Sequence, residues 1–233
     1  MPGPIDDLLP ELPPEFDRVY TAAEFLDLRP RLPEQGQWAE LVDGRVQLRF
    51  APEVEHGDIV GNLMTRLSAA VGADPLAGMP LFRKPVQTAA RTVRLPAMVW
   101  LSEGGFAAMD ADILTTAPDW LVEIAGPTAL RGELPDRIRG YTAWGVRLLW
   151  LIDPAAQQVV RLQNGEAATF ESSDTIAADP VLPQFRMDVA DLFRQPELWT
   201  RPTVVPSDDL DARDAAAMRD DTAISPDSPS SAG

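Results

Sequence analysis

Acidic residues inside apolar strands are the first candidates for chemistry in this sequence. Glu123 lies in the middle of the apolar run at residues 120–125, and Glu40 lies in a similar stretch at residues 38–42. A carboxylate in such a position can bind a divalent metal ion, since Mg²⁺ prefers hard oxygen ligands. Glu123 can instead be a buried salt-bridge partner or a half-exposed strand acid, and Glu40 can be a plain acid of a hairpin. The residue types alone leave both interpretations open for Glu123 and for Glu40.

Two further residue types could take part in catalysis, although each has a simpler explanation. His56 is the only histidine of the chain and lies near the predicted start of a helix, where a structural role is the more common one. Arg137 and Arg139 are most simply the exposed face of a helix. Lys84, the only lysine beside nineteen arginines, lies on a different predicted strand from Glu123.

Local patterns predict the elements that would position these side chains. Thr21 and Glu24 form a capping box that begins a short helix, Asp43-Gly44 is a tight hairpin turn, and Gly145 ends a later helix. The predicted strands cover residues 38–42, 45–50, 81–88, 92–101, 120–125, 147–153, 158–162 and 167–171. The other predicted helices cover residues 55–71, a segment from residue 134 to Gly145, and residues 189–193 with Asp188 as N-cap.

This order of elements predicts an α/β protein with a mixed β-sheet flanked by helices. The run at residues 147–153 is almost continuously apolar, as expected of a central strand that is covered on both faces. At 233 residues the chain is long enough for one sizeable core. We expect an N-terminal lead-in at residues 1–19 that is rich in proline and acids, a folded body at residues 20–200, and a disordered acidic tail at residues 201–233.

Composition limits the function classes. The chain has no cysteine, which excludes disulfides and thiolate metal sites, and it lacks the apolar run of about 18 residues that a membrane helix needs. The sequence therefore predicts a soluble, cytoplasmic protein without a membrane partner. The formal net charge of -16 argues mildly against tight DNA binding, although a local basic patch could survive in an acidic protein.

Six segments in a fixed order resemble a known family. They are YTAAEFLDL, WAELVDGRVQL, EHGDIVGNLMTRL, TVRLPAMVWLS, APDWLVEIAGPT with YTAWGVRLLWLIDP, and VLPQFRMDVADLF. Together they resemble the Uma-type putative restriction endonuclease family of the PD-(D/E)XK nuclease superfamily, over residues 20–193. The resemblance implies a restriction-endonuclease-like fold, DNA as the substrate, and hydrolysis of phosphodiesters with one or two divalent ions, usually Mg²⁺.

The resemblance also implies roles for individual residues. Glu40 matches an acid of the first hairpin, His56 matches a histidine that opens the next helix, and Glu123 matches the acid of a later strand. The residues that replace the family's aspartate, lysine, serine and glutamate are, in that order, Ala97, Arg137, Gly126 and Leu148. The candidate catalytic residues are therefore Glu40, His56, Glu123 and Arg137, and the candidate metal ligands are Glu123 and Glu40.

The departures matter for chemistry. Ala97 offers no ligand for a metal ion, and by strand alternation it shares a face with apolar residues 93, 95, 99 and 101. Arg137 keeps a positive charge, but the pKa of a guanidinium is too high for proton transfer. Three hypotheses follow: a degenerate, inactive or weakened nuclease homologue, an active Mg²⁺-dependent endonuclease with rearranged ligands, and an acidic regulatory or interaction protein. The sequence favours the first.

Overall fold

The computed structural model describes residues 12–33, 39–49, 54–73, 78–107, 113–126 and 133–195. These residues belong to the first of two compact units, Met1–Gln195. The predicted acidic tail and the first eleven residues of the lead-in lie outside the described residues. The domain boundaries stay predictions.

The described part of the chain contains both α-helices and β-strands. Its helices are α1 (Ala22–Leu28), α2 (Val54–Ala73), α3 (Glu103–Ala107), α4 (Leu134–Trp144) and α5 (Val189–Leu192). Its strands are β1 (Ala39–Val42), β2 (Arg45–Leu48), β3 (Met79–Phe82), β4 (Val86–Ala89), β5 (Thr92–Arg94), β6 (Met98–Leu101), β7 (Trp120–Ile124), β8 (Leu148–Asp153), β9 (Gln158–Gln163), β10 (Glu166–Phe170), β11 (Thr175–Ala178) and β12 (Leu182–Asp188). Among these residues, no helix combines the length and the apolar character that crossing a membrane requires.

A six-stranded mixed sheet forms the centre of the fold, with strand order β10-β9-β8-β7-β6-β3. The β7–β8 pair is parallel and the other pairs are antiparallel, so the chain between β7 and β8, which contains α4, is a crossover. Alternate residues of each strand point to opposite faces. On one face three tryptophans of β6, β7 and β8 pack with α2, and on the other face Leu121 and Leu149 pack with Tyr141 of α4.

A second, four-stranded sheet has the order β2-β1-β5-β4 and is antiparallel. One face packs against α1, because Phe25 of that helix shares a core with Leu41 of β1 and Val93 of β5. The capping box predicted at Thr21 and Glu24 starts this helix. The two sheets thus have separate cores, and the residues of β1 and β5 that point away from α1 are free to face other parts of the chain.

Two predicted strands each prove to be two strands in different sheets. The segment at residues 81–88 contains the end of β3 and most of β4, and the segment at residues 92–101 contains β5 and β6. Pro85 and Pro96 lie at the breaks, where the missing N–H of proline interrupts a strand ladder. Residues 93 and 95 therefore do not share one continuous strand with residues 99 and 101, as the alternation argument for Ala97 assumed. Ala97 is buried all the same, with 4% of its surface exposed.

Other differences are local. The antiparallel pair β11–β12 and the short helix α3 were not predicted. Asp188 occupies the N-cap position of α5 as predicted, but its carboxylate makes no capping bond and instead accepts a hydrogen bond from the Thr175 hydroxyl at 2.7 Å. Gly145 ends α4 as predicted, with φ of 110° and its N–H donating to the carbonyls of Tyr141 and Thr142.

Candidate functional site

Two buried glutamates come from different sheets. Glu40 of β1 is 2% exposed and Glu123 of β7 is 6% exposed. Glu123 is two residues from Leu121, so it shares the face of the six-stranded sheet that packs against α4. Glu40 follows Ala39 and precedes Leu41, which both face α1, so its carboxylate lies on the opposite face of its own sheet. The two carboxylates meet beneath α4.

Arg137 of α4 binds both glutamates. Its NH1 and NH2 atoms donate to Oε2 and Oε1 of Glu40 at 2.6 and 3.0 Å, which is a bidentate ion pair. Its NH2 and Nε atoms donate to Oε1 of Glu123 at 2.6 and 3.1 Å. One nitrogen, NH2, is therefore within hydrogen-bonding distance of both carboxylates. The Arg137 side chain is 12% exposed, so its predicted place on a solvated helix face is wrong.

Glu40 has further cationic partners. Arg94 of β5 donates to its Oε2 atom at 3.1 Å, and Arg49, just after β2, donates to the same oxygen through Nε and NH2 at 3.2 and 3.1 Å. The backbone N–H of Leu95 donates to Oε1 at 2.9 Å. Three guanidinium groups thus surround a single buried carboxylate.

Tyr141 completes the site on the α4 side. It lies one helical turn after Arg137, is fully buried, and its hydroxyl donates to Oε1 of Glu123 at 2.5 Å. Burial is the main reason why the pKa of Tyr141 lies well above its usual value, and the neighbouring charge of Glu123 adds to it although Arg137 opposes it. The phenol is therefore neutral and acts as a hydrogen-bond donor.

The charges of the cluster stabilise one another. Burial opposes ionisation of Glu40, but the charges of Arg137, Arg49 and Arg94 outweigh it and hold the pKa of that carboxyl well below its usual range. Burial also opposes the charge of Arg137, yet Glu123 and Glu40 raise its pKa well above the usual value. Both partners of this ion pair are consequently charged at neutral pH.

Among the described residues, His56 of α2 is not hydrogen-bonded to Glu40, Glu123 or Arg137. Burial and the charge of Arg83 lower the pKa of His56 to about 4, so the imidazole is neutral at pH 7. Arg83 is the electrostatic link to the cluster, because the charges of Glu40 and Glu123 act on it as well.

Comparisons with known proteins bear on the family and the fold of the chain. The family model Uma2, described as "Putative restriction endonuclease", matches residues 22–190. The chain belongs to the Uma2 family. No curated protein sequence matches the chain significantly. A solved structure, a putative nuclease of DUF820 from Anabaena variabilis, is 21% identical and has a TM-score of 0.62, covering 72% of this chain and 96% of its own. This likeness shows the fold.

A divalent metal ion does not fit this member of the Uma2 family in the arrangement observed. Restriction-endonuclease-like families usually depend on metal ions. In the part of the chain that the structure describes, no group of three or more histidine, cysteine, aspartate or glutamate side chains could hold one. Glu40 and Glu123 both accept hydrogen bonds from Arg137, and Ala97 supplies no oxygen ligand.

Three of the four predicted site residues of this Uma2 protein thus come together: Glu40, Glu123 and Arg137. Their roles as catalytic groups or ligands stay predictions. Sequence reasoning missed Arg49 and Arg94 as partners of Glu40. Arg94 could be found only from the antiparallel pairing of β1 with β5, which the sequence did not predict: Leu41 is opposite Val93, so Glu40 is opposite Arg94 on the other face.

Proposed function

We propose that this Uma2 protein is a degenerate nuclease homologue that binds a nucleic acid or a protein partner without hydrolysing phosphodiesters. One observation carries the proposal: the guanidinium of Arg137 lies between Glu40 and Glu123 and binds both carboxylates. A catalytic Mg²⁺ would need these oxygens as ligands. The internal cation takes the position that the metal ion would need.

The energetics of the ion pairs support the proposal. A metal ion would have to displace four N–H donors of Arg137 from two buried carboxylates. Removing one partner from a buried pair costs about 3–5 kcal/mol. With Ala97 in place of the third carboxylate that the family resemblance implies, the metal would recover little of that cost. Arg137 itself keeps its proton at any physiological pH and is no general base.

A nuclease assay tests the proposal. The purified protein is incubated with plasmid and with single-stranded DNA, in the presence of Mg²⁺ or Mn²⁺. We expect both DNAs to stay intact. Cleavage that disappears in Glu123→Ala, and persists in the exposed-strand control Glu166→Ala, would contradict the proposal, because it would assign a working metal site to the cluster.

Metal binding can be tested separately from cleavage. The double variant Ala97→Asp with Arg137→Lys adds the missing carboxylate and replaces the forked cation by one that releases the second glutamate. We expect calorimetry to detect Mn²⁺ binding in this variant and none in the wild type. The matched control is Ala97→Asn with Arg137→Lys, which has a side chain of the same shape without the charge. Binding of Mn²⁺ by the wild type would contradict the proposal.

The alternative function is an active Mg²⁺-dependent endonuclease with a rearranged ligand set. One observation favours it: both carboxylates lie within hydrogen-bonding distance of a single atom, the NH2 nitrogen of Arg137. If Arg137 swung away, Glu40 and Glu123 would be positioned to share one cation. Cleavage of plasmid or single-stranded DNA by the wild type with Mg²⁺ or Mn²⁺, lost in Glu123→Ala, would support this alternative.

A further inference from the structure

We propose that the rim of the arginine cluster binds an oxyanion of the phosphate class without a metal ion, and that the anion takes the place of the Glu133 carboxylate on Arg49. The inference rests on the proposed function, since it names the chemistry that a non-hydrolysing homologue would recognise. The ligand is a phosphate group, either as a free anion or at a nucleic acid.

The buried part of the cluster has more cationic than anionic groups among the described residues. The guanidinium groups of Arg49, Arg94 and Arg137 surround the carboxylates of Glu40 and Glu123. Tyr141 is neutral, as its raised pKa requires. The positive charge in excess of the two buried carboxylates is balanced by Glu133, which pairs with Arg49 and is 41% exposed, so an anion that displaced Glu133 would meet the excess charge.

The hydrogen-bond acceptors of Glu40 are also saturated. Its Oε2 atom accepts four N–H groups, from Arg137, Arg94 and two atoms of Arg49, although an oxygen has two lone pairs. Its Oε1 atom accepts two more, from Arg137 and Leu95. The arginines therefore compete for one carboxylate, and a phosphate group would supply additional acceptors in a geometry that suits guanidinium forks.

Arg49 connects this cluster to solvent. While its Nε and NH2 atoms bind Glu40, its NH1 atom binds Oε2 of Glu133 at 2.7 Å. The Glu133 side chain is 41% exposed, whereas that of Arg49 is 14% exposed. Because the Glu133 carboxylate is partly hydrated, it can leave Arg49 at a smaller cost than the buried Glu40 carboxylate can. Among the described residues, the Glu133 contact is the one carboxylate contact of Arg49 that an incoming anion can replace without unburying Glu40.

Phosphate binding is tested on the full chain in EDTA, with inorganic phosphate titrated against chloride at constant ionic strength. Isothermal calorimetry and the melting temperature are the readouts. We expect phosphate to bind and raise the melting temperature of the wild type. We expect Glu133→Gln to bind it about threefold to fivefold more tightly, because the competing carboxylate is gone, and Arg49→Gln to lose the binding.

Asp136→Asn is the matched control for Glu133→Gln. It removes one negative charge three residues away, from an exposed acid that pairs with Arg139. An equal gain in both variants would overturn the proposal, because it would show an effect of net charge alone. Phosphate binding by Arg49→Gln at wild-type strength would overturn it too. If Arg49→Gln fails to fold, the phosphate affinities of Glu133→Gln and Asp136→Asn still test the proposal.

Oligonucleotides with and without a 5′-phosphate separate the two sources of the anion. Preference for the 5′-phosphorylated strand assigns the site to nucleic acid ends, whereas binding of inorganic phosphate alone assigns it to a free anion. Binding of neither overturns the inference and leaves the proposed function standing. Cleavage with Mg²⁺ in the separate assay would contradict the proposed function and leave the anion site standing.

Discussion

The guanidinium of Arg137 compensates the negative charges of two buried glutamates. Glu40 and Glu123 are charged groups inside the protein, where the loss of hydration costs several kcal/mol for each ion. Arg137 gives each of them two N–H donors and a counter-charge in one planar group. A lysine could not do the same, since its ammonium is a compact point charge without the fork.

Replacing Arg137 by methionine should therefore destabilise the fold. Arg137→Met keeps most of the side-chain volume but leaves two buried carboxylates short of partners, and we expect a loss of about 3–5 kcal/mol in the free energy of unfolding. The control is Arg139→Met on the same helix, where the side chain is 72% exposed and pairs with Asp136. Urea denaturation measures both. A loss below about 1 kcal/mol for Arg137→Met would contradict a structural role for the ion pairs.

His56 offers a titration that reports on the site directly. It is the only histidine, so its imidazole signal in a proton NMR spectrum needs no assignment. We expect a midpoint near pH 4, since burial and Arg83 lower the pKa of His56 to about 4. A midpoint near the ordinary value of about 6.5 would mean that the imidazole is solvated and distant from Arg83.

The same lowered pKa affects stability. The unfolded chain binds a proton at His56 below about pH 6.5, while the folded chain does so only near pH 4. Stability should thus fall as the pH decreases through this window. The pKa of Glu40 is also lowered, but its effect begins only below the ordinary glutamate value of about 4.3. Between pH 6.5 and 4.5 the decline should be shallower in His56→Gln.

At the residue scale, sequence reasoning identified the acids better than their partners. An acid within an apolar strand is visible in the sequence, as Glu123 is, and the family resemblance indicates Glu40. Arg49 and Arg94 were not, because nothing local indicates that either arginine points toward a carboxylate of another strand. Arg137 was interpreted as part of an exposed helix face, because its burial depends on two glutamates that are distant in sequence.

At the scale of elements, α4 is the part that assembles the site. It carries Arg137 and Tyr141 on the side that faces Glu123. Its C-terminus is fixed by Gly145, whose φ of 110° is a conformation that L side chains rarely adopt. The register of α4 against the sheet therefore depends on a residue eight positions beyond the arginine that it presents.

Two glycine substitutions in this region should have opposite effects. Gly145→Ala forces a Cβ into a left-handed conformation and should cost about 1 kcal/mol in the free energy of unfolding. Gly140→Ala lies in the helix interior with open space around the added Cβ, and should stabilise by up to about 1 kcal/mol. Thermal unfolding of the two variants measures the difference. A destabilising Gly140→Ala would show that a Cβ at this position of α4 meets other atoms instead of open space.

Element boundaries were predicted well where a local signal marks them. The capping box at Thr21, the hairpin turn at Asp43-Gly44 and the end of α4 were all found. The breaks near Pro85 and Pro96 were missed for a physical reason. Alternation of apolar residues continues across Pro96 from Val93 to Leu101. At both breaks the strands before and after belong to different sheets, and sheet membership is decided by distant pairing partners.

At the scale of the whole molecule, net charge opposes any anionic ligand. The chain has a formal net charge of -16, and residues 203–233 contain seven aspartates and two arginines. An acidic segment can compete with nucleic acid for a basic site, and this is the basis of the interpretation as an acidic regulatory protein. The proposed phosphate site would have to bind an anion in spite of this negative net charge.

Deleting residues 203–233 should therefore raise the affinity for single-stranded DNA at low salt. The removed segment carries net negative charge, and its repulsion is weakly screened at low ionic strength. Fluorescence anisotropy with a labelled oligonucleotide in EDTA measures the change, and the difference should shrink at high salt. Equal affinities of the full and the shortened chain at low salt would dispose of an inhibitory role for the segment.

The joint between the two sheets has a consequence for how the fold is reached. Glu40 belongs to the four-stranded sheet, Glu123 to the six-stranded sheet, and Arg137 is 97 residues from Glu40 in sequence. Two sheets docked in a wrong register would bury a glutamate without its counter-ion, so we expect the cluster to favour the native arrangement of the sheets over others. Backbone amides of β1 and β7 should then open together in hydrogen exchange, whereas separate opening energies would mean that the sheets assemble independently.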